Sequence, residues 1–345
     1  MAIHGNTISR ELRAGDEGAG NTTEHIHTDI KLSPLAEEVR TGLAKSPKRL
    51  SSRFFYDGEG SRIFQEIMQA PEYYLTRSEY EILDTYKAEL LRLFMPDKMP
   101  FDLVELGAGD GLKTKLLLEF FYGQTAPFTY APVDISADAL DGLVADVRQS
   151  WPELPLNPQH NDYFKALEHL SIQSDHRRVV MFLGSNIGNF TPDEAVDFYQ
   201  QLHDRLQPGD LILTGFDLQK HPAIIHAAYN DQQGLTKAFN LNLLRRINDE
   251  LDADFELSAF SHYEVYNPEN GEARSYLVSE KAQTVQVDAL SMTVSFDKGE
   301  IIHTEISRKF TRTQIEQLAE QTGFRIAGWF TDPQGYFVDV VYQRV

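Results

Sequence analysis

The stretch Val104-Glu105-Leu106-Gly107-Ala108-Gly109-Asp110-Gly111 constrains this chain more than any other. Phe101 to Leu106 reads as a short buried strand, and Leu112 onward (LKTKLLLEFFY) has the apolar density of a helix. Glycines at alternate positions permit a tight turn and a close backbone approach that a Cβ would obstruct. The following helix points its free N–H groups into that turn. Such a loop holds a nucleotide-like ligand at the C-terminal edge of a parallel sheet. A dinucleotide fingerprint needs Gly or Ala where Leu112 stands, and a phosphate loop needs a G-K-[ST] that does not follow. A glycine turn without a ligand is the plain alternative.

Glu105 followed by G-x-G-x-G resembles motif I of S-adenosylmethionine-dependent methyltransferases. Downstream, strand and helix signals alternate. Phe128 to Val133 reads as a strand ending at Asp134, and Arg178 to Leu183 as a fully buried strand. Thr191-Pro192-Asp193-Glu194 opens a helix with a capping box, Pro208-Gly209 ends it, and Leu211 to Phe216 is the next strand. The rhythm breaks near residue 220. It resumes at Thr313-Gln314-Ile315-Glu316, read as a second capping box, in a helix closed by Gly323. Phe324 to Phe330 and Tyr336 to Val345 form a hairpin around Asp332-Pro333-Gln334-Gly335.

The expected fold is therefore α/β, of the class I S-adenosylmethionine-dependent methyltransferase type. It is Rossmann-like, with a mostly parallel seven-stranded sheet ending in an antiparallel hairpin, and carries a second, substrate-binding domain. Residues 77–219 and 305–345 are assigned to the methyltransferase domain, residues 31–76 and 220–304 to the substrate-binding domain, and residues 1–30 to a flexible tail.

The net charge of −20, from 52 acidic and 32 basic residues, argues against a phosphate-backbone partner. With no cysteine, disulfides, thiolate metal sites and cysteine nucleophiles are excluded. His221 and His226 lack a third partner at ligand spacing, so no metal is expected. No signal peptide or membrane span is legible, which makes the cytoplasm the expected location. A monomer acting on a small molecule, with no nucleic-acid or membrane partner, completes this reading.

Particular side chains suit a two-substrate site. Asp134 can accept the ribose hydroxyls of an adenosine, or else cap the next helix. Asp162 can bind an adenine amino group with Tyr163 packed on the ring, or both can belong to a polar loop. Gly184-Ser185-Asn186-Ile187-Gly188-Asn189 ends the buried strand where reacting groups meet in such folds. Asn189 can pair with a zwitterionic amino acid, or the amides can satisfy turn backbone. Two aromatic clusters, Phe54-Phe55-Tyr56 and Tyr73-Tyr74, precede the fold.

The segments RFFYDGEGSRIFQEI, PEYYLTRSEYEIL, VELGAGDGLKT, FLGSNIGNF, AAYNDQQGLTKAFNLNLL, TEISRKF and TDPQGYF together resemble the ergothioneine-pathway histidine Nα-methyltransferases. The resemblance covers nearly the whole chain from about residue 34. It implies S-adenosylmethionine as cofactor and trimethylation of the α-amino group of L-histidine to the betaine hercynine, the first step of ergothioneine-type biosynthesis. It further implies cofactor contacts from Gly107, Gly109, Lys113, Asp134, Asp162 and Tyr163. Asn189 and Tyr229 would hold the amino acid's carboxylate and amino group, Tyr56 would lie near the reacting nitrogen, and Tyr73 would approach the side chain. Glu305 and Ser307 would hydrogen-bond the imidazole. The chain departs from the family at Ser275, where members of known histidine preference carry a larger apolar residue. A serine there leaves room or adds a hydrogen bond. The same chemistry on another amino acid or small amine is the alternative, as is a non-catalytic cofactor-binding protein.

Overall fold

The computed structural model describes residues 32–345. The segment expected as a tail, 1–30, lies outside the described residues. In chain order the strands are β1 (Lys48–Arg49), β2 (Phe101–Leu106), β3 (Phe128–Asp134), β4 (Gln159–His160), β5 (Arg177–Phe182), β6 (Leu211–Asp217), β7 (Phe260–Asn267), β8 (Glu272–Ser279), β9 (Gln283–Val287), β10 (Met292–Phe296), β11 (Ile301–Arg308), β12 (Phe324–Thr331) and β13 (Phe337–Arg344). A seven-stranded sheet runs β12-β13-β6-β5-β2-β3-β4. Its strands are parallel except β13, which pairs antiparallel with both β6 and β12.

Alternating side chains on these strands feed two apolar layers. Leu103, Val179, Met181, Leu211 and Leu213 join one core, while Val104, Leu106, Val180, Phe182 and Ile212 join the other. Burial on both faces explains why the central strands read as unbroken apolar runs. Chain order reverses at β2, which lies between β5 and β3. The crevice for a ligand therefore opens where β2 and β5 end, at Gly107 and Gly184.

A second sheet runs β1-β11-β8-β7, and β9 and β10 form a separate hairpin. The segment after residue 220 thus builds its own sheet, edged by β1 from the N-terminal segment. Strand β11 crosses the expected boundary at 304/305, and the helix Tyr74–Phe94 crosses that at 76/77. The two sheets are clasped where β6 and β11 end. Phe310 N donates to Asp217 O at 2.8 Å, and Gln219 N donates to Phe310 O at 2.9 Å.

One helix start differs from the expectation. The cap of the helix Arg312–Thr322 is Thr311 with Gln314, which form the reciprocal capping box; Thr313 is inside the helix and exposed. The cap lies two residues before the expected one because Thr311 and Thr313 both precede a Gln or Glu at three residues' distance. Thr311→Ala is expected to cost about 1 kcal/mol, a typical loss for a cap, whereas Thr313→Ala stays near neutral; urea denaturation of the two variants distinguishes them.

Candidate active site

The glycine loop is tied down before it meets any ligand. Gly107 N and Ala108 N both donate to Val133 O at the end of β3, at 2.8 and 3.2 Å. Buried Glu105 accepts from Thr114 Oγ1 and Tyr130 Oη, each at 2.5 Å, fastening β2 to the next helix and to β3. Burial pushes the Glu105 carboxyl up to about 7, against the pull of those two hydrogen bonds. Gly107 has φ +72°, and a Cβ there would lie 2.9 Å from Tyr163 Oη, so the phenol closes directly over the loop. At Gly109, with φ +54°, a Cβ would meet nothing within 4 Å. That open space is where a ligand can approach the backbone.

Asp134 answers the question left by its position. Its carboxylate accepts from Gly109 N at 3.1 Å and Ser136 N at 2.8 Å, while the next helix is capped by Ser136. It is thus part of the loop's wall. Asp162 caps the helix Tyr163–Gln173 by accepting from Lys165 N, and the backbone and side-chain hydrogen bonds of Lys165 hold its carboxyl below the ordinary range. Tyr163 is pushed up to about 12 by burial and by Asp134. Lys113 pairs with buried Glu79, which also accepts from Gly184 N at 2.8 Å. The ends of β2 and β5 are thereby joined through one carboxylate.

The turn after β5 separates its two amides. Asn186 Nδ2 donates to Leu183 O at 2.9 Å, which is the plain turn role. Asn189, half-buried, makes no side-chain hydrogen bond to any described residue and is left available. The turn packs under β11: a Cβ on Gly188 would lie 2.8 Å from Arg308 O.

On the other side stands an aromatic wall assembled from distant segments. Tyr56 packs edge-on against Phe64 and Phe239, each at 5.4 Å between centroids. Tyr73 meets Phe64 at 6.2 Å and Tyr229 at 6.3 Å. Tyr56 is 42% exposed, yet burial of its hydroxyl, then Glu305, then Tyr163 raise its pKa above the ordinary phenol range.

The floor is the second sheet. Glu264 on β7, Ser275 on β8 and Glu305 on β11 stand in one cross-strand row, and Ala273 and Ser307 pair in the next row of that face. The register slips at Thr304, whose hydroxyl donates within a buried pair with Asn240 Oδ1 at 2.7 Å and lies 3.0 Å from Ser275 O. This bulge sets which β11 side chains share the row. Glu305 is raised to about 7 by burial, opposed by the charge of Lys309, while the Ser275 hydroxyl beside it donates to Glu264 Oε2 at 2.8 Å.

Lys309 organises the hydroxyls. It is fully buried, pairs with Asp217 at 2.9 Å, and donates to Tyr229 Oη at 2.6 Å and Ser307 Oγ at 2.8 Å. Those two oxygens are themselves 2.8 Å apart. Each accepts from Lys309, and one donates to the other. One O–H of the pair therefore remains to serve a ligand.

The residues expected at the site fall into two groups. Gly107, Gly109, Lys113, Asp134 and Tyr163 surround the loop, with Asp162 at its margin. Tyr56, Tyr73, Tyr229 and Ser307 are joined through aromatic contacts and a hydrogen bond, and Ser275 and Glu305 lie one row away on the same sheet. Sequence reasoning missed Glu79, Asp217, Glu264 and Lys309. Glu79 and Lys309 lie inside quoted motifs, and Asp217 ends a buried strand as Asp134 does. Glu264 had no signal, because a charge on an alternating strand reads as solvent-facing. Among the described residues, no helix is long and apolar enough to cross a membrane.

A parallel sheet completed by an antiparallel seventh strand, with an acidic-glycine loop after its central strand, defines a class I methyltransferase. Residues 35–344 match the family of SAM-dependent, histidine-specific methyltransferases, and the chain belongs to that family. It is 38% identical over 314 residues to the histidine N-alpha-methyltransferase of Mycolicibacterium smegmatis, covering 91% of this chain and 96% of that protein. Its identity to the enzyme of the same name from Mycobacterium tuberculosis is 36% over 318 residues, covering 92% and 97%. Ergothioneine biosynthesis protein 1 of Schizosaccharomyces pombe is 27% identical over 309 residues, 86% of this chain and 39% of that longer protein.

The loop and the buried ion pair make separate predictions. Gly107→Ala is expected to weaken S-adenosylhomocysteine about tenfold, through roughly 1–2 kcal/mol of left-handed strain and the clash with Tyr163; calorimetric titration measures it. Lys309→Met is expected to destabilise the protein by about 3 kcal/mol, as for one partner removed from a buried pair, and denaturant unfolding reports the loss.

Proposed function

We propose that this protein transfers methyl groups from S-adenosylmethionine to the α-nitrogen of L-histidine, three times in succession, to give the betaine hercynine. The observation that carries this reading is the aromatic wall of Tyr56, Tyr73 and Tyr229 set against the hydroxyls that Lys309 holds, with the glycine loop open at Gly109. A donor bound on the loop and an acceptor bound on the floor would meet there. Family membership supports both halves.

S-adenosylmethionine would supply an electrophilic methyl on a sulfonium. Gly107, Gly109, Lys113, Asp134, Asp162 and Tyr163 would hold it, and the open space at Gly109 fits that role. The attacking nitrogen must be neutral, whereas a free α-amino group is protonated at neutral pH. Asn189 and Tyr229 would hold the amino acid's carboxylate and amino group, and Tyr56 would aim the lone pair. The proton leaves to water. The aromatic wall of Tyr56, Phe64, Tyr73 and Phe239 suits an amine that gains methyls and ends as a fixed cation, since ring faces attract such groups. Alignment and exclusion of water account for the rate.

Glu305 and Ser307 would read the imidazole. A carboxylate can accept a ring N–H, while a phenyl or indole pocket gains little from a buried charge. Between its ordinary value and about 7 the folded protein holds a proton on Glu305 that an unfolded chain would lose. An N–H donated to Glu305 requires the anion. Acceptor affinity should therefore be full above about pH 7 and fall as the pH drops through it. We also infer a monomer acting in the cytoplasm without a nucleic-acid partner, because the whole cavity is built from one chain of net charge −20.

Incubation with S-adenosylmethionine and each amino acid singly, read by mass spectrometry, should yield mono-, di- and trimethylhistidine. No product with histidine would overturn the reading. Tyr56→Phe should lower kcat more than it weakens the cofactor. Glu305→Ala should weaken histidine and admit other aromatic amino acids; unchanged selectivity would refute the assignment of the floor.

A further inference from the structure

Glu79 lies on the helix Tyr74–Phe94, ahead of β2, and is fully buried. Its carboxylate is held from two sides. Gly184 N donates to both of its oxygens, at 2.8 and 2.9 Å, and the Lys113 ammonium pairs with Oε2. Two glycines make the room for this. A Cβ on Gly215, inside β6, would lie 2.1 Å from Glu79 Oε1, and a Cβ on Gly184, at φ +78°, would lie 3.3 Å from Lys113 Nζ. A glycine inside a central strand marks such a close approach.

One other acid shares this face. Asp339 on β13 is the cross-strand partner of Gly215, so its side chain leaves the sheet on the side that Glu79 covers. It is fully buried, and neither of its oxygens has a hydrogen-bond partner among the described residues. A carboxyl group so placed has nothing to hold it ionised. Burial, then Glu79, push it well above the ordinary carboxyl range against the pull of Lys113. Lys113 is therefore matched by one anion, Glu79. An ammonium group has three N–H donors. Lys113 makes no other side-chain hydrogen bond to a described residue, and its side chain is partly exposed, so two donors remain.

We propose that Glu79 is a positioning residue for the methyl donor: it holds the Lys113 ammonium at the Gly184 turn, beside the glycine loop, with two N–H groups left for the one carboxylate that S-adenosylmethionine carries. This rests on the reading that Lys113 contacts the donor. The donor's sulfonium and α-amino groups are cationic, so an unmatched lysine would repel them. Glu79 offsets that charge and leaves the charge-assisted hydrogen bonds to the carboxylate in place. The same carboxylate fixes Gly184 N, at the head of the turn that bears Asn189. The lysine and that turn thus share one anchor.

Calorimetric titration of the full-length protein with two ligands tests this. S-adenosylhomocysteine carries the amino-acid carboxylate; methylthioadenosine keeps the adenosine and the sulfur but lacks it. Glu79→Gln retains an oxygen for Gly184 N but no charge for Lys113. It should weaken S-adenosylhomocysteine about tenfold, the worth of one charge-assisted hydrogen bond, and leave methylthioadenosine within about twofold of the parent. Equal losses of both ligands would make the residue structural and overturn the proposal, as would no loss of either. Glu79→Asp keeps the charge and should bind S-adenosylhomocysteine more tightly than Glu79→Gln; parity would overturn the part given to the charge. Lys113→Met should itself weaken S-adenosylhomocysteine about tenfold. Adding Glu79→Gln to it should cause no further loss, since no ammonium is left to position; losses that multiply would overturn the proposal. If Lys113→Met binds S-adenosylhomocysteine as the parent does, the reading of Lys113 as a donor contact falls, and the proposal with it. A loss in Lys113→Met with none in Glu79→Gln sinks the proposal alone.

Discussion

The buried pair between Asp217 and Lys309 is the constraint on which the rest of this structure depends. Asp217 ends the central strand β6, and Lys309 leaves the second sheet at β11. Both are fully buried, so each charge is tolerable only beside the other. Asp217 also accepts from Tyr74 Oη at 2.8 Å, and Lys220 pairs with it. Burial lowers Lys220 to about 8, although Asp217 pulls the other way. One carboxylate thus binds the start of the helix Tyr74–Phe94, the end of the sheet and the exit of β11. Tyr73, the neighbour of Tyr74, is consequently set against Phe64 and Tyr229.

From the same ammonium group the pair reaches into chemistry. Lys309 sets the direction of the Tyr229 and Ser307 hydroxyls and lowers Glu305 relative to its burial alone. A floor built from β7, β8 and β11 would otherwise set Glu264 and Glu305 beside hydroxyls with no buried cation near them. The cost of burying Lys309 is offset by Asp217.

Much of the donor half was legible in the chain. The glycine loop, Asp134 and the strand after Arg178 lie within local segments whose turn geometry and apolar runs carry their own signals. Local signals also misled once, at Thr313, because two overlapping capping patterns differ only in where the backbone first turns helical. The candidate site's second-sheet side was legible only through resemblance to a family. Tyr56, Tyr73, Tyr229 and Glu305 have no shared periodicity, and they meet because two sheets are clasped at residues 217 and 310. Asn186 and Asn189 illustrate the limit within one turn: both are amides in the same motif, yet one serves the backbone and the other is left available.

The sequence by itself determined the α/β rhythm, the ligand loop and the terminal hairpin, since these follow from side-chain period, glycine and proline chemistry over short spans. Tertiary structure alone decided which titratable groups face one another. Glu264 and Glu305 are forty-one positions apart in the chain and one serine apart in space. Burial raises both carboxyls, and a lysine brought in by another strand's ion pair holds Glu305 down. Those quantities depend on distance and exclusion of water, which exist only once the sheets have packed.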